Sequence, residues 1–507
     1  MKRHIFLAAT FLSTAAAFAQ QDLNTAADAL RYTNDNINGT ARFRAMSGAF
    51  GALGGDLSAM MVNPAGSAFF NYNSGTVSLT NYNISNKASY FGNRNKNTDS
   101  SIELNQVGAV FVFNNSKEGA FMNKFAIAFN YENTNNFDNS IFFSGVNPSN
   151  SIDKYFLRYA NGIGDEGGIY LSTLNNSYFE DLSFIDQQAY LGYNAYMFNP
   201  AANNTDNTDY VTNVPTPGNY YQENYTETNG YNGKIAFNFG AQLKERFYLG
   251  VNLNMHVSDY IKDYSIIETY NSPVGLQGIR FDNRRYTYGG GFSFNIGGIA
   301  KITESLRAGL AYESPTWMTL QDEITQAIIT DCPECESGNL IINDPGMTFI
   351  LDDYTIKSPS KYTGSLAYVF GQNGLISVDY SLRDYGNTKY TGSLYNAIND
   401  ELSSTLGLAG ELRVGGEYRI KNISLRGGYR YQDSPYEDSD TVSALNGFSA
   451  GIGFVFGNSK LDLAYSYFNR KYDERLLYAG TTNTGITDAA RINSNNNNIT
   501  LSYTLDL

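Results

Sequence analysis

From about residue 74 to the C-terminal residue, the chain runs as short segments in which apolar and polar residues alternate. The last segment is the plainest: Ile499, Leu501, Tyr503, Leu505 and Leu507 interleave with Thr500, Ser502, Thr504 and Asp506. Successive side chains of a strand point to opposite faces, so this spacing gives one apolar face and one polar face. Phe247, Leu249, Val251, Leu253, Met255 and Val257 repeat the pattern opposite Asn252, Asn254 and His256. Ile376, Val378, Tyr380 and Leu382 repeat it opposite Ser377, Asp379, Ser381 and Arg383. Fourteen such segments, joined by gaps that are long and short in turn, predict an all-β transmembrane barrel of 14 antiparallel strands over residues 74–507.

The short gaps, at 244–246, 303–305, 371–374, 421–422 and 457–459, read as polar tight turns. The long gaps fall near 85–101, 138–229, 258–284, 319–357, 386–409, 432–445 and 469–495. Outer-membrane barrels keep short turns in the periplasm and long loops outside, and an even strand count returns Leu507 to the periplasm. Alternation alone also suits a sandwich with its apolar face inward. In a barrel, Arg413, Arg419, Arg426 and Arg430 must face the lumen, because a Lys or Arg on the lipid face near the midplane costs about 2–4 kcal/mol.

The gap 138–229 is too long for a bare connector. It is rich in apolar residues between Ile152 and Phe198, which predicts an ordered extracellular cap. In 386–409, Ile398, Leu402 and Leu406 have the spacing of a short amphipathic helix.

The N-terminus reads as an export signal over residues 1–19. Lys2, Arg3 and His4 precede an apolar stretch to Ala17, and Ala17-Phe18-Ala19 is an A-x-A-like cleavage site. The stretch is short of the roughly 18–20 apolar residues that a helical span needs. With 40 Tyr and 32 Phe but a single Trp, and with no linker dividing the chain, the composition favours the barrel over a set of soluble domains. The net charge of −14 excludes a nucleic-acid partner, which needs clustered basic residues.

Residues 20–73 do not alternate. Leu23, Ala26, Ala27 and Leu30 have helical spacing, and Gly39 to Gly66 is rich in Gly and Ala, suited to close packing inside a wide barrel. This stretch carries Gly-Ala-Phe-Gly-Ala (Gly48 to Ala52), Gly54-Gly55-Asp56 and Asn63-Pro64-Ala65. With Leu310 to Thr316 (Leu-Ala-Tyr-Glu-Ser-Pro-Thr), it resembles the FadL/TodX family of outer-membrane transporters for hydrophobic compounds. The resemblance spans the mature chain. It implies that residues 20–73 are a hatch plugging the lumen, with Asn63, Pro64 and Ala65 in the gating part. It also implies passive uptake of fatty acids or hydrocarbons: capture on an outer groove, binding in the lumen, then hatch rearrangement. An inward kink of the third strand would open the wall sideways. Phe125 to Glu132, in that strand, has no Gly or Pro to force a kink. The partners then expected are hydrophobic small molecules, outer-membrane lipid and lipopolysaccharide, around a monomer without cofactor.

Phe156, Leu157 and Tyr159 are candidates for the capture groove; the alternative is that they pack the cap's own core. His256 and the cluster Arg413, Glu417, Arg419, Arg426 and Arg430 are candidate lumen groups. The arginines suit a carboxylate, or pair with each other and with the hatch. Cys332 and Cys335 form a local disulfide or remain two thiols, since zinc would want about four ligands. Two rival readings stand beside transport: a FadL-like partner of a protein secretion system, similar to PorV, and an outer-membrane hydrolase using His256.

Overall fold

The computed structural model describes residues 24–507 apart from 35, 116, 118–119, 164–166, 217, 273, 336–339, 393–394 and 478–487. The expected export signal, 1–19, lies outside the described residues. The wall is a closed antiparallel barrel of fourteen strands: β1 (Ser74–Tyr90), β2 (Asn93–Asn114), β3 (Met122–Asn136, continued by Asn139–Asn147), β4 (Tyr220–Leu243), β5 (Phe247–Thr269), β6 (Gly278–Lys301), β7 (Leu306–Glu313 and Trp317–Asp331), β8 (short pieces from Leu340 to Lys357, then Lys361–Val369), β9 (Gly374–Asp384), β10 (Leu408–Ile420), β11 (Ile423–Gln432), β12 (Leu445–Phe456), β13 (Ser459–Arg475) and β14 (Ala489–Asp506). Closure comes from β1 pairing with β14, from Ser74 opposite Asp506 to Ser89 opposite Arg491. No helix among the described residues is long and apolar enough to cross a membrane.

The sides follow the expected code. Phe247, Leu249, Val251, Leu253, Met255 and Val257 are exposed on the outer face, whereas Asn252, Asn254, Arg413, Glu417 and Arg430 are buried inside. A closed ring with an apolar outer band and a charged interior is the outer-membrane solution, and the sandwich alternative falls.

Several expected loops are strand instead. The gap 85–101 is a hairpin whose strands reach Tyr90 and resume at Asn93, and most of 258–284, 319–357 and 469–495 is strand too. Above the apolar band the outer face meets water, so polar residues occupy both faces and alternation vanishes while the ladder continues. The gap 386–409 does hold a helix, Asn396–Thr405, with Ile398 and Leu402 fully buried.

Two places interrupt the wall. In β7 and β8 the chain bulges at Ser314–Thr316 and Ser358–Ser360, where the Thr316 amide donates to Ser358 Oγ (2.8 Å). Each segment carries a proline, which cannot donate to a ladder. In β3 the register shifts between Asn133 and Asn135, and the ladder to β2 runs only from Gln106 opposite Glu132 to Asn114 opposite Lys124. Above it, among the described residues, side chains replace the ladder: Asn136 Nδ2 donates to Ser101 Oγ (2.9 Å), Asn97 Nδ2 to Ser140 Oγ (3.4 Å), and the Ser144 amide to Asn95 Oδ1 (3.2 Å). The third strand therefore breaks without Gly or Pro.

Residues 24–73 lie inside the ring. They form helices α1 (Ala26–Thr33), α2 (Ala41–Ala45) and α3 (Ala59–Val62) and a 3-10 turn, Pro64–Phe69. Bonds to widely separated strands fix this segment: the Ala41 amide donates to Ser502 Oγ (2.7 Å), the Ser47 amide to Ser449 Oγ (3.1 Å), and the Phe50 and Gly51 amides to the Asp379 carboxylate (3.0 Å each). It thus fills the lumen from side to side.

Among the described residues of the cap, 148–219, there are three α-helices, α4 (Asp153–Ala160), α5 (Leu171–Asn176) and α6 (Phe184–Asn194), and a two-strand ribbon, Phe198–Pro200 with Tyr210–Thr212. Its core continues into the tall side of the wall through Phe281 of β6 and Ile328 of β7. Glu268 staples it down. This fully buried carboxylate accepts from the Ile152 amide (3.1 Å), Gln222 Nε2 (2.6 Å), Tyr270 Oη (2.6 Å) and Ser151 Oγ. Glu268→Ala should loosen the cap by about 1–3 kcal/mol, the scale for leaving buried donors without their acceptor. Limited proteolysis should then cut the cap faster than in the parent protein, and unchanged cleavage would count against the staple.

Candidate functional site

A cavity of about 350 Å³ lies in the lumen between α1 and the cap. Tyr155 of the cap roofs it. Phe137 and Ile141 at the break in β3 form one wall, and Tyr264, Leu476 and Leu477 add apolar surface. Five cationic residues border the cavity, Arg31 of α1, Lys262 of β5, Arg284 and Arg285 of β6 and Arg475 of β13; of these Arg31, Lys262 and Arg285 are the ones tied to or grouped around α1.

Local chemistry places each of them. Helix α1 starts on a capping box: the Asp28 amide donates to Thr25 Oγ1 (3.2 Å) and the Thr25 amide to Asp28 Oδ2 (3.0 Å). Arg31, almost one turn later, donates to Asp28 Oδ1 (2.7 Å) and lies over the Tyr260 ring, 3.8 Å from its centroid. Arg285 donates to Asp322 (2.7 Å) and to Asn24 Oδ1 (2.9 Å), and sits 3.6 Å from Asp28. Lys262 meets Glu474 at 3.3 Å. Burial pushes the Asp28 carboxyl up, but Arg31 and Arg285 outweigh it and hold the group well below the ordinary carboxylate range. The cavity thus joins a wall of mixed aromatic, aliphatic and amide side chains to a floor of ion-paired cations whose guanidinium groups can also take an acidic or polar end group, and it reaches the break in β3.

The architecture has solved counterparts. A FadL homologue of Pseudomonas aeruginosa aligns over 94% of this chain and 99% of its own, with a TM-score of 0.54 and 12% identity. The toluene transporter TodX of Pseudomonas putida aligns over 93% and 99%, with a TM-score of 0.51 and 14% identity. The fold is that of the FadL and TodX barrels. No family model matches the sequence, and no curated protein matches it.

Within this FadL-type barrel, the Asn63-Pro64-Ala65 triplet sits against the wall. Asn63 Nδ2 donates to the carbonyls of Gly51 (2.8 Å) and Gly298 (3.1 Å), while its Oδ1 accepts from the Ala65 amide (3.2 Å). The Pro64 carbonyl accepts from Asn238 Nδ2 (2.9 Å). Gly250 and Gly297 permit this approach, since a Cβ on either would run into Pro64 or Asn63.

The other expected residues are placed as follows. Phe156 and Tyr159 are 0% and 2% exposed and pack the cap's core with Phe281, with Leu157 against its edge. They do not line an open groove, because a three-helix cap must bury its largest side chains to hold its shape. His256 faces inward and bonds Ser293 Oγ through Nε2 (2.8 Å), at a separate small gap near Glu313 and Arg383. Arg426 donates to Glu417 (2.7 Å) and Asp462 (2.6 Å), and Glu417 also accepts from Arg42 of α2 (2.9 Å). Arg413 donates to the Gly48 carbonyl (3.3 Å). These charges pair with each other and with the N-terminal segment, not with the large cavity. Cys332 and Cys335 form a disulfide at the top of the tall side, Cys332 within the cap core.

The cavity's own cations were missed in the sequence. Lys262 falls inside the supposed loop 258–284 and Arg285 immediately after it. The inward alternation of Tyr260, Lys262, Tyr264 and Ile266 could have revealed them. So could the Thr25-x-x-Asp28 capping box for α1.

Proposed function

We propose that this barrel carries hydrophobic small molecules passively across the bacterial outer membrane, with long-chain fatty acids as the leading class. The supporting observation is the lumen cavity, where aromatic and aliphatic side chains, interspersed with amides and hydroxyls, surround Arg31, Lys262 and Arg285 next to the break in β3. A hydrocarbon tail suits the walls and a carboxylate suits the guanidinium groups. The FadL homologue and the toluene transporter with the same fold favour a hydrophobic cargo over a polar one. In this reading residues 24–73 act as the hatch, with Asn63, Pro64 and Ala65 in its latch, and the seam between β2 and β3 is the side exit. The cap and long hairpins face outward toward lipopolysaccharide, Leu507 lies in the periplasm, and one chain suffices for the path.

Liposomes containing the purified protein should take up a fluorescent long-chain fatty acid several times faster than empty liposomes. Equal rates would defeat the reading. Faster uptake of a short sugar than of the fatty acid would defeat it as well.

A further inference from the structure

Three cations around the cavity are matched by carboxylates at its floor: Arg31 by Asp28 (2.7 Å), Arg285 by Asp322 (2.7 Å) and Lys262 by Glu474 (3.3 Å). Asp322 and Glu474 belong to wall strands, Asp322 of β7 paired opposite Thr287 of β6 and Glu474 of β13 opposite Ala490 of β14. Asp28 alone belongs to an element outside the wall, the eight-residue helix α1. Arg285 also reaches that helix through Asp28 (3.6 Å) and the residue before its cap through Asn24 Oδ1 (2.9 Å). Arg31 keeps a further donor in hand: its Nη1 is buried and has no hydrogen-bond acceptor among the described residues.

We propose that Asp28 is an internal occupant of the cargo's head-group site, and that an incoming carboxylate displaces it and so frees α1. The proposal rests on the transport reading given above and adds the trigger. Two carboxylates in so small a space compete for the same guanidinium groups and repel each other. The one that can yield is the one on the short helix. When Asp28 leaves, α1 loses its own tie to Arg285, and what remains is the Arg285 bond to Asn24 just before the helix (2.9 Å), its contact with Tyr354, Tyr390 and Leu402 and the bonds to its last turn, such as Asn232 Nδ2 to the Arg31 carbonyl (3.2 Å). Cargo then loosens the plug by charge competition, and a neutral molecule of the same shape does not. Reciprocity follows: whatever holds α1 in place weakens binding of the acid, and removing Asp28's charge strengthens it.

The full-length protein in detergent tests this with two probes of equal chain length, oleate and oleyl alcohol. Hydrogen–deuterium exchange is followed over residues 24–34. Oleate should speed exchange in α1 markedly and oleyl alcohol should not. Asp28→Asn keeps an acceptor for the Thr25 amide but removes the charge. It should exchange fast without ligand and bind oleate about tenfold tighter, with oleyl alcohol affinity unchanged. A merely structural role for Asp28 would alter exchange without that selective gain. Equal effects of the two probes on α1, or unchanged oleate affinity in Asp28→Asn, would overturn the proposal and leave the transport reading standing. Failure of both probes to bind would overturn the two together.

Discussion

Replacing Asn63 by alanine should leave a fully assembled barrel that leaks. The Asn63 side chain satisfies two buried groups of the N-terminal segment, the Gly51 carbonyl (2.8 Å) and the Ala65 amide (3.2 Å), and also reaches the Gly298 carbonyl on β6 (3.1 Å). Each buried group left unpaired costs about 1–3 kcal/mol. None of that loss falls on the strand ladder, whose closing pairs between β1 and β14 lie elsewhere. The variant should therefore keep the heat-dependent gel shift of a folded barrel while liposomes bearing it swell in a small sugar that the parent excludes. Unfolded or uninserted protein would show that plug and wall are not separable, and unchanged exclusion would show that Asn63 is not a latch.

Joining Ser101→Cys to Asn136→Cys across the seam should cut fatty-acid uptake by roughly an order of magnitude, and reductant should restore it. The parent side chains already meet at 2.9 Å, and no ladder bond spans the strands there among the described residues. Side-chain bonds can open and close singly, whereas a backbone ladder opens cooperatively, so the seam is the cheapest stretch of wall to part. The parent protein treated with the same reductant controls for loss of the Cys332–Cys335 bond. Full uptake by the cross-linked form would remove the seam from the path.

The alternation of Phe247 to Val257 and of Ile499 to Leu507 made the wall legible, because lipid on one side and a packed lumen on the other leave a period of two. The same logic explains the failures. Between Asn93 and Asn105 the run Asn-Arg-Asn-Lys-Asn-Thr-Asp-Ser-Ser is polar on both faces, so it reads as loop although it is strand. Lys262 and Arg285 went unseen as site residues for this reason. The break in β3 has no Gly or Pro to announce it; its Asn133-Thr-Asn-Asn136 run supplies side chains that bond to neighbouring backbone and compete with the ladder. Which carboxylate meets which arginine is a matter of register between strands far apart in sequence, and composition carries no trace of it.

The outer face of the tall side also sets how deep the barrel rides. Tyr231, Tyr286 and Tyr288 close the apolar band on β4 and β6, and Glu227, Asp263 and Arg284 stand immediately above, Asp263 and Arg284 paired at 3.2 Å. Sinking by one strand repeat, about 7 Å along the strand, would push that charged rim into hydrocarbon, and rising by as much would lift the phenylalanines out of it. The broken stretch Asn133 to Asn136 is paired with Gly233 to Tyr231, at the height of this rim. On the transport reading proposed above, the barrel is thereby moored with its seam at the head-group border of the outer leaflet, and a molecule leaving through it would meet the bilayer at its polar edge and not at its midplane.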